Sequence, residues 1–151
     1  MRTNEQWMEA HFTAFQLHAP NITQLELQYA DLASDEFAAA IRHAPSLTHL
    51  KLFQCPGFDD SVINALHYKD GTTPLVPRLH SLVLEDMDQD VTDDILANMI
   101  ASRWWTDAAL ASRAVPPQVA RWTCVVLWYD LSGHLLLQDM PSDILITSLV
   151  S

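Results

Sequence analysis

Apolar and polar residues alternate over three short stretches of the chain. Ile22, Leu25 and Leu27 mark the first, Leu47, Leu50 and Leu52 the second, Leu79, Leu82 and Leu84 the third. Each stretch opens on a proline: Pro20, Pro45 or Pro77. In the first, Gln24, Glu26 and Gln28 fill the intervening places. A period of two predicts a strand with one buried face. The apolar spacing then changes to three and four: Phe37, Ala38 and Ile41; Val62, Ile63 and Leu66; Ile95, Leu96, Met99 and Ile100. That period predicts helices with one buried stripe. Ser34, Asp59 or Asp60, and Thr92 stand where an N-cap is needed, with acids following, where they favour the helix dipole. Phe37 and Val62 lie equally far beyond the last strand leucine of their copies, as do Ile41 and Leu66. In the third copy the helix starts one residue late, which places a small insertion within 86–91.

The rest of the chain completes or covers these units. Residues 1–19 hold Trp7, Met8, Phe12, Phe15 and Leu17 at helix-like spacing and are read as an N-terminal cap. Residues 67–77 form an inserted surface loop, and Thr106–Ala111 a short helix, with Trp104 and Trp105 folding back onto the core. A degraded fourth copy runs through Pro117, Val119, Trp122 and Cys124. The apolar runs 125–128 and 135–137 flank Ser132-Gly133 and read as a hairpin closing the open end of the sheet.

The interval from Pro20 to Pro45 lies within the ~20–29 residues of a leucine-rich repeat, a strand plus helix that cannot bury its apolar face alone. The expected fold is therefore α/β: a short leucine-rich-repeat solenoid of three clear repeats and one degraded. Its parallel sheet lies on the concave face and its helices on the convex face. One domain spans 1–151, divided into the cap 1–19, repeats 20–44, 45–76 and 77–116, and a degraded repeat with C-terminal cap at 117–151.

Leu47-x-x-Leu50-x-Leu52-x-x-Cys55, followed by Phe58-Asp59-Asp60 and Leu66, resembles the cysteine-containing class of leucine-rich repeat. The third copy matches it with Met87 in the cysteine place and Val91-Thr92-Asp93 as the turn; in the first, Ala30 occupies that place. This class is similar to the repeats that follow the F-box in substrate receptors of ubiquitin ligases. The resemblance covers residues 20–105 well and 117–124 weakly. It implies protein recognition, with a ubiquitination substrate as the partner. The F-box itself finds no room before Pro20 and no match later, so the expectation is a repeat fragment or stand-alone adaptor. The alternative is a truncated repeat remnant with a structural role and no independent activity.

Charge narrows the partners. With 8 basic and 19 acidic residues the net charge is −11, which disfavours nucleic acid and anionic membrane surfaces and favours a basic protein surface. No apolar run approaches the ~20 residues of a membrane span. No signal-peptide core follows Met1, so an intracellular location, cytoplasmic or nuclear, is expected and the sequon Asn21-Ile22-Thr23 is read as unmodified. Cys55 and Cys124 are too few for a disulfide framework. With a strand between them they lie beyond bridging distance, so both are expected as free thiols.

Enzyme chemistry finds little footing. Asp86-x-Asp88-x-Asp90 opens like a calcium loop, but the sixth and twelfth places hold Val91 and Ala97 rather than Gly and Glu, so it reads as a solvated acidic turn. His11, His18, His43, His49, His67, His80 and His134 show no metal-ligand spacing. There is no nucleophile elbow or phosphate loop. Neither catalysis, a cofactor nor a metal is expected. The candidate site is the solvent face of the sheet. Ladder geometry aligns Gln24, His49, Ser81 and Arg121; Glu26, Lys51, Val83 and Thr123; and Gln28, Phe53, Glu85 and Val125. Glu26 and Lys51 form a cross-strand pair. Phe53, Val83 and Val125 are apolar residues flanked by charge, the composition of a protein-docking surface. Cys55 is read as buried packing.

Overall fold

The computed structural model describes residues 2–3, 21–29, 32–86, 91–128 and 135–147. Among the described residues, six parallel strands follow one another across a single sheet in chain order. They are β1 (Arg2–Thr3), β2 (Gln24–Gln28), β3 (His49–Phe53), β4 (Ser81–Glu85), β5 (Cys124–Leu127) and β6 (Leu145–Thr147). Between them lie helices α1 (Ser34–Arg42), α2 (Asp60–Leu66), α3 (Asp93–Ser102) and α4 (Asp107–Ala111), and a 3-10 turn at Leu135–Leu137.

The alternating leucines explain this order. Leu25, Leu50, Leu82 and Val125 stand abreast, as do Leu27, Leu52, Leu84 and Leu127, and every one of them is buried. Helix stripes close over these rows: Phe37, Ala40 and Ile41 of α1, Val62, Ile63 and Leu66 of α2, and Leu96, Ala97, Met99 and Ile100 of α3. Ala40 takes the buried place expected for Ala38, which is half-buried. A leucine in such a two-layer core is worth about 2–5 kcal/mol over alanine, because the cavity left behind collapses only in part.

Each turn from strand to helix uses the same backbone device. Tyr29, Gln54 and Asp86, the residues after β2, β3 and β4, have φ of 56°, 48° and 48°. The amides of Tyr29 and Gln54 still donate across to the carbonyls of Phe53 and Glu85, and the Gln54 amide group donates to the Asp86 carboxylate. Gly57 belongs to the turn after β3. A Cβ there would lie 2.1 Å from the Leu32 carbonyl oxygen, so glycine alone lets the two turns touch. Cys55 is buried beside it, its Sγ 3.6 Å from the Leu27 carbonyl oxygen.

The caps differ in detail from expectation. Asp59 caps α2, its Oδ1 accepting from the amides of Ser61 and Val62 at 3.1 and 3.2 Å. Ala33, not Ser34, is the N-cap of α1, and Glu36 Oε1 accepts from its amide at 3.1 Å. Thr92 is the N-cap residue of α3, as expected, but its hydroxyl donates to Asp60 Oδ2 at 2.5 Å rather than capping, while Asp60 Oδ1 accepts the Thr92 amide at 2.7 Å. One carboxylate thereby ties the start of α2 to the start of α3.

The long connections 67–80 and 103–123 pack on each other. Tyr68 donates its hydroxyl to Asp70 Oδ1 at 3.0 Å and accepts the Gln118 amide at 3.1 Å. Arg113 Nη2 reaches the same Asp70 oxygen at 2.7 Å, and its guanidinium lies 5.4 Å from the Trp105 ring centroid. Beneath them Arg103 is 1% exposed. Its Nε, Nη1 and Nη2 donate to the carbonyls of Leu66, Val76 and Leu75 at 2.9, 3.1 and 2.7 Å.

The C-terminal part departs from the sequence expectation. No hairpin joins the apolar runs 125–128 and 135–137. Leu135–Leu137 is a 3-10 turn packed on α3, and the next strand, β6, pairs parallel with β5. The fourth full strand begins at Cys124, not Val119. Its register lies three residues further on, because Trp122 takes the place held by Leu47 and Leu79 and donates its Nε1 to the Ile100 carbonyl at 2.9 Å. At the other end, Arg2–Thr3 adds a short strand beside β2. The remainder of the expected cap, residues 4–19, lies outside the described residues. Cys55 and Cys124 are free thiols with β4 between their strands.

Candidate docking face

Because the inward places of the strands are filled by leucine and valine, their alternate residues form one open face. Nine expected site residues lie there in three rows: Gln24, His49, Ser81; Glu26, Lys51, Val83; Gln28, Phe53, Glu85. The three residues expected from the fourth strand do not continue these rows. Val125 is fully buried on the inner face. Arg121 precedes the strand, with its Nη1 3.0 Å from the Trp105 carbonyl oxygen and 2.7 Å from Asp107 Oδ1, and its guanidinium 5.1 Å from the Trp104 ring centroid. Thr123 sits at the strand entrance, where its amide donates to the His80 carbonyl at 2.8 Å. The rows continue instead through Cys124 and Val126, with Trp128 just past the strand end. On β6 the central row ends at Ile146, which is 42% exposed.

The face is polar at one end of the strands and aromatic at the other. Thr48 Oγ1 lies 2.7 Å from His49 Nδ1, and His80 Nδ1 lies 2.8 Å from Thr123 Oγ1. The rings of His49 and His80 meet edge to face, with centroids 4.9 Å apart. Burial, and then the neighbouring His49, hold the His80 pKa below its ordinary value. A shallow groove of about 370 Å³ lies on this face, lined among others by Gln24, Glu26, His49, Lys51, Ser81 and Val83.

Across the strand ends runs an aromatic row. Phe53 meets Tyr29 edge to face at 5.2 Å between centroids, and Trp128 at 6.4 Å and 90°. Glu85 stands between Phe53 and Trp128 in the ladder, since Phe53 is its cross-strand partner and the Trp128 amide donates to the carbonyl of Leu84, the residue before it. Lys51 stands opposite Glu26, as expected, but its ammonium lies 3.5 Å from Glu85 Oε1. Trp128 and Tyr29 escaped the sequence reading. The missing signal was Trp122-x-x-Val125-x-Leu127, which repeats the spacing Leu47-x-x-Leu50-x-Leu52 and brings Trp128 level with Phe53.

Among the described residues no group of three His, Cys, Asp or Glu side chains could hold a metal ion. Of the acidic run 86–90 only Asp86 is described. Among the described residues no helix is long and apolar enough to cross a membrane. Comparison with family models, with curated proteins and with solved structures finds no match.

Proposed function

We propose that the chain is a protein-binding module that engages its partner through the open face of the sheet. The observation that carries this reading is the mixed surface formed by Phe53, Val83, Val126 and Trp128 around Lys51 and Glu85. Half-buried apolar and aromatic side chains flanked by charge are the composition of interface anchors. On this reading the βα units are leucine-rich repeats stacked as a short solenoid, with the sheet on the concave side. The spacing Leu47-x-x-Leu50-x-Leu52-x-x-Cys55 and the equal depth of the inward rows support it. Its likeness to the repeats of F-box receptors makes a ubiquitination substrate the partner and an intracellular location the setting. The role is binding, not catalysis.

The test is affinity capture followed by titration of the captured partner with purified chain. The double variant Phe53→Ala, Val83→Ser, with its fold checked by circular dichroism, is expected to weaken that binding at least about tenfold, as loss of interface anchors does. Asn98→Ala on α3 is expected to leave it unchanged. Equal binding by the double variant removes the open face from the reading.

A further inference from the structure

We infer that the corner formed by Phe53, Glu85 and Trp128 is an arginine-binding site, so that the partner docks here with a basic side chain. The inference rests on the open face being the docking surface and names what that surface takes. The Phe53 and Trp128 rings stand perpendicular with centroids 6.4 Å apart, and the strand that runs between theirs carries Glu85 at the same level. The Glu85 side chain is 21% exposed, so water screens a contact to it less than it screens one to a fully exposed carboxylate. A cation already lies there. Lys51 places its ammonium 3.5 Å from Glu85 while remaining 45% exposed, the geometry of a weakly held surface pair.

Arginine suits the corner better than this resident lysine. Its planar guanidinium can grip a carboxylate with two parallel hydrogen bonds while its face lies on an indole or phenyl ring. An ammonium offers a point charge and no plane. The surroundings add long-range attraction: Asp86 directly follows Glu85, and the whole chain carries −11. A partner arginine therefore displaces Lys51 from Glu85, and the freed lysine swings to solvent.

The experiment titrates the full chain with acetyl-Gly-Arg-Gly-amide and follows the Trp128 indole N–H by NMR. The same peptide with citrulline, which keeps the shape and lacks the charge, is the control. A saturable shift is expected with arginine and not with citrulline. Glu85→Gln is expected to weaken binding about tenfold, and Lys51→Met to strengthen it about threefold by removing the internal competitor. A merely structural Lys51 would give no such gain. The inference is overturned by the absence of a saturable shift up to the solubility limit, by equal response to citrulline, or by indifference to either substitution. Val83→Ser with Val126→Ser changes the open face and leaves the corner residues in place, so loss of partner binding in that variant lets the face stand while the arginine site falls.

Discussion

Arg103 donates from Nη1 to the carbonyl of Val76 at 3.1 Å, and Val76 holds a φ of 39°. A β-branched residue in the left-handed region is strained, and such strain persists only where the surroundings over-determine it. Here three carbonyls converge on one guanidinium, which burial depresses to a pKa of about 10 and so leaves charged at neutral pH. The end of α2 and the loop that follows are thus built around one buried cation.

Arg103→Lys is expected to destabilise the fold by about 2–4 kcal/mol, since an ammonium cannot span three separated carbonyls and each unsatisfied buried acceptor costs about 1–3 kcal/mol. Urea unfolding followed by circular dichroism measures it. A change below the error of the midpoint would show that water satisfies those carbonyls.

Gly57→Ala is expected to cost about 1–3 kcal/mol or more, because the new methyl must displace the Leu32 backbone. Gly71 provides the contrast. Its φ of 85° strains any side chain, but nothing lies within 4 Å, so Gly71→Ala is expected to cost about 1 kcal/mol. Equal thermal midpoints for the two variants would refute the close approach of the turns.

The register of β5 is tested by neighbouring substitutions. Val125→Asp places an unpaired charge in the core and is expected to abolish folding, whereas Val126→Asp lies on the open face and is expected to leave a folded chain. The opposite result would restore the register in which Val119, Trp122 and Cys124 point inward. Proton NMR dispersion separates the outcomes.

Acid is expected to loosen the fold through two histidines. Burial lowers the pKa of His80, with His49 adding to it, and lowers that of His67, with Lys69 and Arg103 adding to it. The unfolded chain therefore binds more protons than the folded one just below the ordinary histidine value of 6.5, so stability rises with pH through that window and falls as pH drops. His80→Gln is expected to flatten the decline measured by urea midpoints between pH 7 and 5. An unchanged slope would assign it to His67 or other groups.

In the first three units the inner and outer faces were legible from the chain alone. Leucine at alternate places with glutamine, glutamate or lysine between leaves one arrangement that buries the first and wets the second, and a one-residue slip would invert it. Nine of the open-face residues followed from that pattern. The fourth unit carries apolar residues on both parities, Trp122 and Val126 against Val125 and Leu127, so alternation selects no register there. Contact selected it: Trp122 is buried and bonded to Ile100, and Val125 and Leu127 complete the rows of Leu82 and Leu84.

Sequence by itself thus determined the βα alternation, the inward leucine rows and the separation of the two thiols, because each follows from local period and spacing. Tertiary structure decided the parallel placement of β6, the meeting of Phe53 with Trp128, the approach of Lys51 to Glu85, and the burial of Arg103. These join residues far apart in the chain, and no local pattern encodes which of several apolar or charged partners will be nearest once the sheet has formed.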